Sequence, residues 1–323
     1  MSRTSTPGRT ATDTGGAGAA TGPDAPAAAT PRRGPLRGLP WLVWRRHRAL
    51  LLTALLLTVV GCATFAYQRA GVLDFLHTQG TPTDTESPLS TSFQSTFSTM
   101  FGSDTVLLQL LPFAAGIFLG APLIAGEQEH GTAKLVLTQS VSRGRWLTAA
   151  LGLPLAVVVL CATLLSAAFS WLWAPAHGLV MNGNWLESGP FDTTGPVPVA
   201  KTLFLTLCGI AIGMLFKRVV PAMAATTAFS LVAAVLWADL VRPRLGTLHS
   251  IKYPYGSGGR DLPFDAARVN DWMVTTYGRP TGVTEYFEYG QMAGMQWRGA
   301  GILLAASAVV LAFVVWRTHR RPL

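Results

Sequence analysis

The chain carries little charge for its length. Only 13% of its 323 residues are Asp, Glu, Lys or Arg, against about 25% in an ordinary water-soluble domain. There are too few ions to coat a globular surface, and a soluble enzyme is excluded on that ground. Cysteine is scarce as well. Cys62, Cys161 and Cys208 each lie inside an apolar run, and three cysteines so placed make neither a disulfide framework nor a metal-ligand spacing. Acidic residues are the rarer sign, 16 against 25 Lys and Arg, for a net charge of +9. That excess raises the question of nucleic acid, but the basic residues stand beside the long apolar runs and form no independent patch. No nucleic-acid partner is expected. What the chain does have is apolar residues, half of its length, with a mean hydropathy of +0.36. The composition points to an all-α polytopic membrane protein.

A spanning helix needs about 20 mainly apolar residues to cross roughly 30 Å of hydrocarbon. Charge-free stretches place six spans, at about 49–67, 105–125, 147–173, 197–216, 219–240 and 299–316. The fourth reaches spanning length only if Lys201 snorkels toward the headgroups. Lys and Arg near spans are retained on the cytoplasmic side. With the amino terminus inside, the inner segments hold a net charge of +12 and the outer segments −3. Both termini are therefore expected in the cytoplasm, the chain being a multi-pass protein of the plasma (cytoplasmic) membrane. Residues 1–35 are mostly Ala, Gly, Thr, Pro and Ser. Such a segment cannot offset its ordering entropy by burial and reads as a disordered cytoplasmic tail. Residues 318–323 form a second short tail. Val59-Val60-Gly61-Cys62 mimics a lipoprotein cleavage box, but the long leader and the apolar continuation favour an uncleaved first span.

Between spans two and three lies the inner segment 127–145. It opens with Glu127 and Glu129, closes with Arg143 and Arg145, and has Leu135-Val136-Leu137 between them. Acid at one end and base at the other suit the dipole of a short helix, with Ser140 and Ser142 as caps for the next span. A solvated loop whose charges only mark topology would have the same composition.

The order Glu127-Gln128-Glu129-His130-Gly131-Thr132, an apolar triplet, then Val141-Ser142-Arg143 resembles type-2 ABC-transporter permeases. The stretch 36–48, with RGLPWLVWRRHR in it, is similar to that family's amphipathic elbow helix before span one. The stretch 209–244 fits as well, with its Lys217-Arg218 turn, Pro221 and the Arg242-Pro243 exit. Lys134 and Ser140 depart from the acidic residue and proline that many members carry there. The resemblance implies a permease domain over 36–317 and a coupling helix at 127–145. In that helix Glu127, Glu129, Gly131, Thr132, Leu135, Leu137, Ser142 and Arg143 would meet a separate cytoplasmic ABC ATPase. It also implies a homodimer or heterodimer of permease chains, export of a small molecule or amphiphile, and ATP–Mg held only by the partner. A non-transporting scaffold or signalling anchor is the alternative.

No enzyme is expected in this chain, and no catalytic, cofactor or metal residues. The nearest match to a phosphate-binding loop, residues 195–202, has Ala200 where glycine is required and two prolines without N–H donors. Glu127-x-x-His130 is a single copy of a metal-pair spacing, with no second pair to complete it. The spans hold almost no polar catalytic groups, which argues against a membrane protease and against a proton-coupled carrier. Gly116-x-x-x-Gly120 and Gly209-x-x-x-Gly213 put small residues on one helix face. They allow close packing either within a subunit or across a dimer. Seven tryptophans near span boundaries, Trp171 and Trp173 among them, read as interface anchors. The outer loop 242–298 mixes aromatic residues with Asp261, Asp265, Asp271, Glu285 and Glu288. That mixture suits a small folded cap, or a gate for a cationic amphiphile.

Overall fold

A computed structural model describes residues 39–80, 88–129, 143–180, 184–186, 189–254, 265–277 and 279–320. The tail at 1–35 and Gly131, Thr132, Leu135, Leu137 and Ser142, expected in the coupling helix, lie outside the described residues.

Helix α1 runs unbroken over Leu39–Gln79. Residues expected to form a separate elbow are thus, from Leu39 on, the first turns of the same helix. At 41 residues it is about 60 Å long, twice the hydrocarbon thickness. Its last turns carry Arg69, Asp74 and His77 and continue past the apolar stretch. There they pack on the opening turns of α2, Pro88–Ala114. Phe75 stands edge-on to Phe93 and Phe97 at 5.6 Å, a geometry that places ring edges on ring faces.

Pro112 interrupts the hydrogen-bond ladder of α2. A π-helical segment, Ala115–Gly120, follows it directly and leads into α3, Ala121–Glu129. Helix α4, Arg143–Trp173, packs along α1, with Gly61 against Leu165 and Phe65 against Phe169 at 5.6 Å. Short α5 is Pro190–Thr193, α6 is Val197–Gly213 and α7 is Val219–Leu236. A second π-helical turn, Trp237–Val241, closes α7, and α8 spans Met292–Arg320.

Among the described residues, five stretches are long and apolar enough to cross a membrane: Arg48–Gln79, Pro88–Glu129, Leu151–Ala176, Val219–Arg244 and Tyr289–Arg320. Leu56, Leu57, Val59 and Val60 of α1 are exposed, as are Leu231, Val232 and Val235 of α7. A helix that shows apolar residues on its open face needs an apolar solvent. Helix α6 differs. Its 17 residues span about 25 Å, less than the hydrocarbon core, and eleven of them are buried. It is the central helix, wrapped by α2, α3, α4, α7 and α8.

The all-α expectation needs one amendment. The segment between α7 and α8 holds a three-stranded antiparallel sheet. Its strands are β1 His249–Pro254, β2 Ala267–Thr276 and β3 Arg279–Phe287, with β3 in the middle. Ile251 pairs with Thr284 and Trp272 with Val283. The register shifts between Arg268 and Asn270, leaving Val269 as an extra residue that bends β2. Strand β1 alternates half-buried and exposed positions, a period-2 signal that the aromatic and acidic composition obscured.

Both glycine motifs meet inside the subunit. A Cβ on Gly116 would stand 2.8 Å from the Leu205 carbonyl oxygen, and one on Gly120 2.5 Å from that of Thr206. Conversely, a Cβ on Gly213 would stand 2.5 Å from the Ala121 carbonyl oxygen, and one on Gly209 would strike the Gly116 carbonyl. Backbone therefore lies on backbone where α6 crosses the π-helical segment and α3. Gly209→Leu should cost about 1–3 kcal/mol or more by overpacking, read as a lower midpoint of thermal unfolding in detergent. Gly301→Leu, which has open space around it, should leave that midpoint unchanged.

Candidate functional site

Of segment 127–145, the structure describes the two ends. Helix α3 delivers Glu127, Gln128 and Glu129 to the turn that joins α6 to α7. The Glu129 carboxylate accepts the Val219 backbone N–H at 2.9 Å. Residue Arg218, at the helix N-cap, has extended backbone and makes no side-chain cap of its own. Glu129 thus supplies from a distance the acceptor that the first turn of α7 lacks, and its charge suits the positive end of that helix. Gln128 Nε2 also reaches the Met214 carbonyl at 3.5 Å. The coupling candidate Glu129 is therefore also the clasp between α3 and α7. Arg143 begins α4, immediately after Ser142.

At the opposite end of α6 a polar hub forms around Asp192, which sits on α5 and is buried. Trp237 donates its indole N–H to Asp192 Oδ1 at 2.7 Å. Lys201 Nζ lies 3.5 Å from the same oxygen and Arg242 Nη1 3.5 Å from Oδ2. The Lys201 ammonium also stands 5.9 Å from the Trp237 ring centroid, within range of cation–π attraction. A buried carboxylate costs several kcal/mol to desolvate, so it persists only when paired and hydrogen-bonded. Here two cations and one indole meet that condition.

Around the hub, residues 189–196 are clamped from every side. Gln296 of α8 donates to the carbonyl oxygens of Phe191 and Thr194 at 3.2 and 3.0 Å. Ser166 of α4 donates to the Gly195 carbonyl at 2.8 Å, and Gly195 N–H donates to Ser170 Oγ at 3.2 Å. Gly195 has φ +65, and a Cβ there would meet Gln296 Oε1 at 2.5 Å, so glycine is required twice over. The sheet covers this connection. Trp185 donates to the Asp265 carbonyl at 3.1 Å, and Arg242 Nη1 to the Leu186 carbonyl at 3.0 Å.

The sequence reading missed the hub because Asp192, Lys201, Trp237 and Arg242 sit in four separate elements. Lys201 does not snorkel to headgroups; it turns to Asp192, and only 12% of its side chain is exposed. The residues 195–202 that mimic a phosphate-binding loop enter the opening turns of α6. Trp173 is no interface anchor, being buried against His177 and Tyr289, whereas Trp171 and Trp297 are exposed. Asp104 marked a span boundary in the sequence, yet α2 runs through it, and it is buried with Gln68 of α1 as hydrogen-bond partner. Two acidic residues of the segment 242–298 serve the sheet itself. Asp271 accepts from Tyr253 and Thr284 at 3.1 Å, and Glu285 accepts from Asn270 at 3.0 Å. Asp261 lies outside the described residues. Among the described residues no group of three His, Cys, Asp or Glu could hold a metal ion.

Asp192→Asn leaves Lys201 and Arg242 without their counter-charge and should cost about 3–5 kcal/mol, seen as lost monodisperse yield and a lower unfolding midpoint. Glu129→Ala should cost about 1 kcal/mol, the usual loss of a helix cap, in the same assay.

A family model described as ABC-2 membrane transporter related matches residues 55–242. No curated protein matches the chain, and no solved structure does. The matched stretch starts within α1, contains the whole segment 127–145 and the crossing of the glycine motifs, and ends on Arg242 of the hub. With more than half of its length so matched, the chain belongs to the ABC-2 membrane transporter related family and is a multi-pass membrane component of transport, not itself a catalyst.

Proposed function

We propose that this chain is the permease half of an ATP-driven exporter of a small molecule or amphiphile, energised by a separate cytoplasmic ATPase. The observation that carries this reading is the family match over residues 55–242, because it takes in the whole segment 127–145. In this reading α6 is the fourth of six spans, both termini are cytoplasmic, and the membrane is the plasma membrane. Residues 36–48 act as an elbow at the membrane surface, and residues 1–35 form a disordered tail. The partner ATPase holds ATP–Mg, and two permease chains, alike or different, form the translocation seam.

The geometry favours such a division of labour. Segment 127–145 is joined without a break to α3 on one side and to α4 on the other. Glu129 is also bound to the start of α7. A push on this segment therefore reaches three helices at once, as rigid-body switching requires. Glu127, Glu129, Gly131, Thr132, Leu135, Leu137, Ser142 and Arg143 are the residues that would bear on the ATPase.

Two measurements test this. A cysteine at Ser140 should react with a membrane-impermeant maleimide only after the cytoplasmic face is opened; labelling on intact cells would overturn the orientation. The full chain should co-purify with a nucleotide-hydrolysing subunit. Changing Glu127, Glu129, Arg143 and Arg145 together should cut that recovery at least about tenfold, the loss of one or two charge-assisted contacts. Undiminished assembly of the quadruple variant would contradict the docking role.

A further inference from the structure

Helices α6, α7 and α8 leave a cavity of about 250 Å³ between them, with Phe113 of α2 also in its lining. Its wall is apolar, with Phe204 and Leu205 from α6, Phe229 from α7 and Ile302 from α8. Two features depart from that character. Lys201 lies in the wall with Trp237 beside it, and Ser230 faces the cavity, fully buried, its Oγ without a hydrogen-bond partner among the described residues. The mouth is on the face where Val232, Leu236 and Ile302 are exposed. That is the apolar surface the helices turn to their surroundings, so the cavity opens to lipid and not to water.

At the end of the cavity where Lys201 stands, charge is unbalanced. One buried carboxylate, Asp192, serves two cations, Lys201 and Arg242. Arg242 Nε is a second buried donor with no partner among the described residues. Two cations on one carboxylate leave this hub with a net charge of +1; the exposed Asp239 and Arg244 of the adjoining turns balance each other. The volume is below the roughly 300–1,000 Å³ of sites that enclose drug-sized ligands, so it admits a slender chain and excludes a bulky compound.

We infer that this cavity binds an amphiphile, with one acyl chain between α6, α7 and α8 and an anionic headgroup over Lys201 and Arg242. The surrounding phase supplies the chain, and the positive rim selects the head, as basic pockets between spanning helices do for acidic lipids. Ser230, about two turns before Trp237 on α7, offers a hydrogen bond inside the cavity. This inference goes beyond the exporter reading and does not rest on it, since the site needs no nucleotide and no ATPase partner to fill.

The test uses the full chain in phosphatidylcholine nanodiscs doped with a lipid that carries a diazirine in its acyl chain. After illumination, labelled peptides are mapped. Diazirine phosphatidylglycerol should label the Phe204, Phe229 and Ile302 peptides about tenfold more than diazirine phosphatidylcholine, the factor one hydrogen bond to a charged group supplies. Both probes should label the exposed Leu56 and Leu57 of α1 alike, which serves as the internal reference. Ala306→Phe fills the cavity and should abolish its labelling while that of α1 persists. Ala233→Leu, a smaller filling on the opposite wall, serves if the first variant does not fold. Lys201→Gln should erase the preference for the anionic probe, and Lys201→Arg should keep it. A diazirine fatty acid separates the sources: stronger labelling by it than by phosphatidylglycerol assigns the site to a free single-chain acid. Equal labelling by the anionic and zwitterionic probes, or labelling that survives the filled cavity, overturns the inference. None of these outcomes bears on whether segment 127–145 meets an ATPase.

Discussion

Close approach between the α2–α3 rod and α6 is the constraint that the other helices accommodate. Lipid tails are as apolar as leucine, so spanning helices gain little from hiding apolar surface from one another; they associate through tight packing and interhelical polar contacts. Here the packing is backbone on backbone. Gly116 and Gly120 face Gly209 and Gly213, and each would collide with a carbonyl if it carried a Cβ. Pro112 and the π-helical segment that follows it let the rod bend where the crossing occurs. Because α6 is gripped there, it can be short and still central, with α4 and α8 laid against its other sides.

Each end of α6 is then secured by polar chemistry. At one end, Glu129 and Gln128 hold the turn into α7. At the other, Asp192 draws in Lys201, Trp237 and Arg242 while Gln296 grips the neighbouring carbonyls. The covering segment completes this end by receiving the Trp185 indole on the Asp265 carbonyl, just before β2, and presenting Phe287 of β3 to the buried cluster. A carboxylate in such a place is tolerated because its partners come with it. The same partners outnumber it, and that leaves the rim positive.

Much of the membrane architecture was legible in the sequence, because the bilayer imposes length and polarity on each stretch separately. The run 49–68 and the stretch 219–238 announce themselves without knowledge of any neighbour. Segment 127–145 could be recognised by the order of a few residue types. What could not be read is whatever depends on two distant stretches meeting. The two glycine motifs carry the same signal whether they join within one chain or between two. Lys201 has the sequence context of a snorkelling side chain, and only the position of Asp192 redirects it. Trp173 and Trp171 are two residues apart at the end of α4, and the period of the helix buries one and exposes the other. The three-stranded sheet escaped because the mixed aromatic and acidic composition of its segment hides the period-2 pattern of its strands.

The hub also imposes an order on synthesis. Asp192 leaves the ribosome before any of its partners; Lys201 follows nine residues later, Trp237 after 45, and Gln296, which fastens the adjoining carbonyls, after about a hundred. Until α7 has been inserted, the carboxylate has one cation to lean on, and the connection around it, held by Ser166 and Ser170 of α4, lacks the Gln296 clamp until α8 arrives. Helix α8 is therefore the keystone of a structure whose earlier helices are already in the bilayer. A nascent chain halted before Gln296 would hold its early spans in place around an unfinished seam.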